Sequence, residues 1–217
     1  MLLALDTSSP QVSVALADGA TVVAEHTADR PMKHGEQLAP AIETVLSGAG
    51  LVPRDLTAIV VGVGPGPFTG LRVGLVTART LGLVLTIPVY GVCSLDALAL
   101  QAVDEGMVDE EFLVATDARR REVYWARYDA TGSCLHGPGV DRPQDVRWTG
   151  PVVGEGAVLY PAAFPLALAP VRPAAGWLAR AVAEERAVLH DPEPLYLRRP
   201  DAVTPGARKP VSGGVTP

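Results

Sequence analysis

A chain of 217 residues, 48% hydrophobic and 19% charged, can bury a substantial core as one domain or two small lobes. Its formal net charge of −6 speaks against a protein that grips nucleic acid alone, because phosphate binding normally needs a clustered positive surface. Two cysteines, Cys93 and Cys134, are too few for a disulfide framework. They fit a reducing cytosol and are expected to be small core residues.

The opening MLLALDTSS has no basic region, and Asp6 interrupts its apolar run, so a signal peptide is not expected. From there LLALDTSSPQVSVALADGATVVAEH reads as a strand, a tight turn and two more strands, with ADG at 17–19 as the hairpin. HGEQLAPAIETVLSGAG sets Leu38, Ile42, Val45, Leu46 and Ala49 on one face of an amphipathic helix. LTAIVVGVG predicts a buried strand. TGLRVGLVTARTLGLVL predicts a second helix capped by Thr69, and IPVYGVCS a strand. SLDALALQAV starts a third helix, with Ser94 as its cap. The run 73–92 is apolar enough for a membrane span, but Arg79 and Pro88 favour a buried helix followed by a buried strand.

The pattern then restarts. FLVATDARRREVYWARYDATGSCLH is again strand, turn, strand, turn, strand, and an apolar strand ends at Asp117 as one ends at Asp6. The layout predicts an internal duplication about 111 residues apart. GPVVGEGAVLY reads as a strand and a turn, PAAGWLARAVAEERAV as an amphipathic helix, and PLYLRRP as extended chain. Residues 200–217 are Pro/Gly-rich and read as a disordered tail.

The loop GPGPFTG raises the question of a phosphate cradle. Such a cradle needs consecutive backbone N–H donors, usually with a lysine, but Pro65 and Pro67 donate nothing and no lysine lies between Lys33 and Lys209. Gly70, Gly74, Ala78 and Gly82 sit four apart as one row of tiny side chains. A mid-helix glycine costs about 1 kcal/mol, so close approach of another element is expected, either within this chain or on another protein. Asp6, Thr7, Ser8 and Ser9 could face a metal–nucleotide phosphate or simply make a turn. His34 has Leu38 where a metal pair would want a second histidine, and no G-x-S-x-G nucleophile motif is present.

Together, LLALDTSSPQVSVAL, HGEQLAPAIETVL, VVGVGPGPFTGLRVGLVTARTLGL, IPVYGVCSLDALA, DARRREVYWARY and PLYLRR resemble the TsaB (YeaZ-like) family of bacterial tRNA threonylcarbamoyladenosine biosynthesis proteins, across residues 1–199. The resemblance implies an α/β fold of the actin, sugar-kinase and heat-shock-chaperone type. It would have two duplicated lobes, 1–105 and 106–199, each a mixed β-sheet with helices. It implies a non-catalytic subunit without a cofactor, working with the catalytic paralogue TsaD and the ATPase TsaE on adenosine 37 of tRNAs that read codons starting with A. Contact with tRNA would come only through the complex, in the cytoplasm and away from membranes. The interface would lie on the two N-terminal-lobe helices, at Leu38, Ile42, Gly70, Leu71, Gly74, Ala78 and Gly82, and the same helices could form a homodimer. TsaD-type chains carry the H-x-x-x-H pair that this chain lacks. The superfamily's first phosphate loop has a glycine where Ser8 stands, so Asp6, Thr7 and Ser8 imply at most a weak nucleotide site. The other readings are an ATP-dependent transferase or phosphotransferase using Asp6, Thr7, Ser8 and Asp117, and a metallopeptidase.

Overall fold

The computed structural model describes residues 1–28 and 34–198. The tail predicted at 200–217 lies outside them. Alternating β-branched and small residues build a first mixed sheet from β1 (Leu2–Asp6), β2 (Val12–Asp18), β3 (Thr21–Ala28), β4 (Ala58–Gly62) and β5 (Val89–Val92), in the order β3-β2-β1-β4-β5. β1 pairs antiparallel with β2 and parallel with β4. Gly19, at φ 57°, makes the predicted β2–β3 turn. A second sheet has β6 (Phe112–Asp117), β7 (Val123–Tyr128), β8 (Cys134–Asp141), β9 (Val152–Val153) and β10 (Ala167–Leu168), in the order β10-β9-β6-β7-β8. Read from the other edge, this is the first sheet's order with each strand replaced by its counterpart, so the duplication is built into the topology.

The two halves are not equally furnished. In the first, α1 (His34–Gly48) joins β3 to β4, α2 (Phe68–Leu85) joins β4 to β5, and α3 (Ser94–Asp104) follows. In the second, a single 3-10 turn at Pro143–Asp145 stands where α1 would be, and α4 (Glu155–Leu159) is one short turn before α5 (Ala175–Ala183). α1 and α2 cover one face of the first sheet, where Leu38, Ile42, Val45, Leu71 and Leu75 meet Leu3, Leu5, Val14 and Leu16.

The last helix of each half crosses over. α3 packs Leu98, Ala99 and Ala102 on Phe112, Val114 and Tyr128 of the second sheet. α5 packs Leu178 and Ala179 on Ala4, Ala15 and Val60 of the first, where Ser13 Oγ accepts the Ala175 amide at 2.8 Å. Cutting the chain at 105 divides the strands between sheets, but not the helices.

Several local expectations differ from what forms. α2 begins at Phe68 with Pro67 in the cap position, so Thr69 lies in the first turn without a capping bond. α3 begins at Ser94 with Cys93 as its cap, because the Ser94 hydroxyl is spent on Asp6, 2.6 Å away. Cys93 is buried as expected, but Cys134 is exposed, because its strand β8 is the sheet edge. α2 is not a buried helix. It is the one helix among the described residues long and apolar enough to cross a membrane, at mean hydropathy 1.3, yet only 33% of it is buried. β5, at the edge of its sheet, is likewise only partly covered, with Val89 and Tyr90 half-buried.

The row of small residues decides how α2 sits. A Cβ on Gly70 would lie 2.7 Å from the Thr7 carbonyl, one on Gly74 2.4 Å from Thr7 Oγ1, and one on Gly82 2.2 Å from Val89 Cγ2. The close approach is therefore to β1 and β5 of this same chain. Gly74→Leu is expected to destabilise the isolated protein by about 2–3 kcal/mol through overpacking. A lowered urea midpoint would register it, and a variant as stable as the parent would refute the contact.

Candidate functional site

The site is built on the end of β1. Asp6 is 1% exposed. Its Oδ1 accepts the Ser8 amide at 2.9 Å and the Ser8 hydroxyl at 2.8 Å. Its Oδ2 accepts the Ser94 hydroxyl at 2.6 Å. Burial pushes the carboxyl above its ordinary range, opposed by the hydrogen bonds from Ser94 and Ser8 and by His34. Thr7 donates its hydroxyl to the Gly70 carbonyl at 2.8 Å. The carbonyl of Ser9 meets His34 Nε2 at 2.7 Å. A carbonyl only accepts, so this nitrogen carries the proton and has no lone pair for a metal.

The glycine-rich loop between β4 and α2 packs on this same point. A Cβ on Gly66 would fall 2.3 Å from the Ser8 carbonyl, so only glycine fits. The Gly64 carbonyl accepts the Ser94 amide at 2.8 Å, clamping the loop to the start of α3. The loop is a packed joint between β1, α2 and α3, with the Gly64 carbonyl and the faces of Gly64 and Gly66 turned to the chain itself.

Across the cleft the second lobe contributes Thr116, Asp117, Arg119, Glu155 and Arg172. Asp117 pairs with Arg119 at 3.2 Å, and Glu155 with Arg172 at 2.9 Å. Each carboxylate facing the cleft therefore has its own arginine or hydroxyl partner. The space left between the lobes is about 10 Å³, room for roughly one water. A wider groove of about 520 Å³ opens outside it, among Ser9, His34, Phe68, Thr69 and Arg119.

Glu155 and Arg172 were not among the expected site residues. The signal was present, since VVGEG at 152–156 repeats the VVGVG of 60–64. It is a second glycine turn at a strand end: a Cβ on Gly154 would lie 2.3 Å from the Ala115 carbonyl, and one on Gly156 2.9 Å.

The residues expected at a partner interface are buried within this chain. Leu38, Leu71 and Ala78 are at most 1% exposed and Ile42 is 8% exposed, while Gly70, Gly74 and Gly82 are buried against β1 and β5. The reason is the small-residue row itself, which lets α2 settle onto its own sheet. What α2 leaves outside is a different stripe. Val76 is 63% exposed, Leu83 82% and Val84 72%, with Val73 half-buried and Arg72, Arg79 and Thr80 exposed beside them.

Comparison with known proteins agrees with this architecture. A family model described as "TsaD: tRNA N6-adenosine threonylcarbamoyltransferase" matches residues 22–165. The structure titled "YeaZ from Pseudomonas aeruginosa" superposes with a TM-score of 0.75 and 32% identity, over 90% of this chain and 99% of that one. An uncharacterised protein of Mycobacterium tuberculosis is 44% identical over 207 residues, 93% of each chain. The protein named tRNA threonylcarbamoyladenosine biosynthesis protein TsaB in Bacillus subtilis is 38% identical over 135 residues, which is 62% of this chain and 57% of that one. The Escherichia coli protein of the same name is 38% identical over 127 residues, 58% and 54% of the two chains. Two sheets of one duplicated topology, a cleft filled by its own side chains and these likenesses lead to one assignment: the chain belongs to the TsaB/YeaZ family.

Proposed function

We propose that this chain is a non-catalytic subunit of the complex that forms N6-threonylcarbamoyladenosine at position 37 of tRNAs reading codons that start with A. It pairs with a TsaD-type catalytic subunit, with a TsaE-type ATPase alongside, and meets tRNA only through that complex, in the cytoplasm. One observation carries the reading: the cleft where a nucleotide would lie is closed by internal pairs. Asp6 is held by Ser8 and Ser94, Asp117 by Arg119 and Glu155 by Arg172. Opening the cleft to a nucleotide would strip the buried Asp6 and the part-buried Asp117 and Glu155 of their partners, which is costly above all at Asp6.

The partner surface in this reading is the outer face of α2. Val73, Val76, Thr80, Leu83 and Val84 recur at helical spacing as a stripe facing away from the core. A soluble protein seldom leaves such a stripe without a use. The occupant we favour is a chain built on a homologous lobe. The family model that matches this chain is that of TsaD, so such a partner brings a corresponding helix pair. A homodimer through the same helices is the competing occupant.

Size-exclusion chromatography with light scattering, on this chain mixed with the TsaD-type protein of the same source, tests the pairing. A stable one-to-one complex is expected, and two separate peaks would overturn it. Leu83→Glu is expected to weaken the complex by about 30-fold or more, the size of an interface hot spot. Its effect on the unfolding free energy should stay within about 0.5 kcal/mol, as for other exposed positions. Titration of the lone chain with ATP–Mg at millimolar concentration is expected to give no binding heat. Saturable binding there would favour the phosphotransferase reading on Asp6, Thr7, Ser8 and Asp117.

A further inference from the structure

Residues 190–198 form neither helix nor strand, yet they are tied at each step to elements far away in sequence. His190 and Gly91 exchange backbone hydrogen bonds of 2.9 and 2.8 Å at the free edge of β5. The Leu195 amide reaches the Val63 carbonyl at 2.9 Å. Arg198 donates to the Ala118 carbonyl at 3.0 Å and pairs with Glu122, both in the β6–β7 hairpin. Between these anchors the strap sets Tyr196 on α2.

There Tyr196 makes a contact that packing alone does not require. Its ring lies 4.6 Å from the Phe68 ring, centroid to centroid. The Arg72 guanidinium sits 5.5 Å from the Phe68 ring centre and 5.7 Å from that of Tyr196, and Arg72 Nε donates to Tyr196 Oη at 2.7 Å. A long, exposed side chain is thus held in one orientation by two rings and a hydroxyl, which removes most of the entropy it would lose on binding. No acidic residue lies on α2, and Arg72 and Arg79 are its only charges. Arg72, Val76, Arg79 and Leu83 share one line at spacings of four, three and four.

We propose that Arg72 is the point on the α2 face that recognises a carboxylate of the partner, and that Tyr196 is its positioning residue, carried there by the strap. The inference rests on the docking reading above and adds the partner's chemistry at one place: an acidic side chain opposite Arg72, at the edge of an apolar patch that meets Val76 and Leu83. The second lobe takes part in the interface through the strap.

The test is calorimetric titration of the TsaD-type protein with full-length variants at low and moderate salt. Arg72→Ala is expected to weaken binding about tenfold and to flatten its salt dependence. Tyr196→Ala should cost about as much, and the double variant little more than either single one, because both remove one oriented group. Arg72→Lys should not restore binding, since an ammonium cannot reproduce the stacked, hydrogen-bonded plane. Tyr196→Phe keeps the ring and the strap and is expected to lose about threefold through the hydroxyl alone. If Leu83→Glu abolishes binding while the Tyr196 variants bind like the parent, or if the losses simply add, the inference falls and the docking surface stands. If Leu83→Glu also binds like the parent, the docking reading itself is overturned.

Discussion

Four consecutive residues at the end of β1 hold the first lobe together. Asp6 binds the start of α3 through Ser94, Thr7 binds the first turn of α2, and Ser9 binds the first residue of α1. Three helices that enter from different loops are thus registered on one short turn. The arrangement requires contact at backbone distance, and the glycines supply it. Gly66 faces the Ser8 carbonyl, Gly70 the Thr7 carbonyl, and Gly62 leaves the space that the Asp6 carboxylate fills. A Cβ at any of these would push a helix or loop off the turn. Burial raises the cost of ionising Asp6. The three hydrogen bonds it accepts make the buried carboxylate tolerable and keep the turn in one conformation.

This use of the turn bears on function. In a two-lobed fold, the strand ends facing the cleft are where a ligand would be held. Here the same atoms are consumed by structure, and the opposite wall repeats the arrangement with its own ion pairs. The duplicated halves have also diverged in mass. The second lacks a counterpart of α1 and keeps only one turn of α4, while the exchange of α3 and α5 makes each lobe depend on the other's chain. The strap at 190–198 completes that dependence by returning to the first lobe's edge strand and to α2.

The pattern of strands was legible because a two-residue alternation with β-branched residues admits few other readings. The hairpin at Gly19 and the restart at Phe112 follow from local rules of the same kind. The helix caps were less legible. Ser94 has the right chemistry for a cap, and only its meeting with Asp6, 88 positions away, turns the hydroxyl to another task. The pair of Glu155 and Arg172 was hidden for a similar reason, since neither residue is unusual until the turn at Gly154 brings them to one cleft.

The amino-acid sequence alone determined the duplication, the element order of the first half, the family and the unusual character of α2, because these depend on spacing, composition and motifs that survive without coordinates. It also required that something approach Gly70, Gly74 and Gly82 closely. Which side of α2 turns inward was decided only by tertiary structure. Helical periodicity gives α2 two distinct stripes, one of small residues and one of valine, leucine and arginine, and either could in principle seek a neighbour. The β1 turn and Val89 fill the space above the glycines, so the small stripe closes on its own sheet. Among the described residues no element covers the larger apolar stripe, and Val76, Leu83 and Val84 are left at the surface.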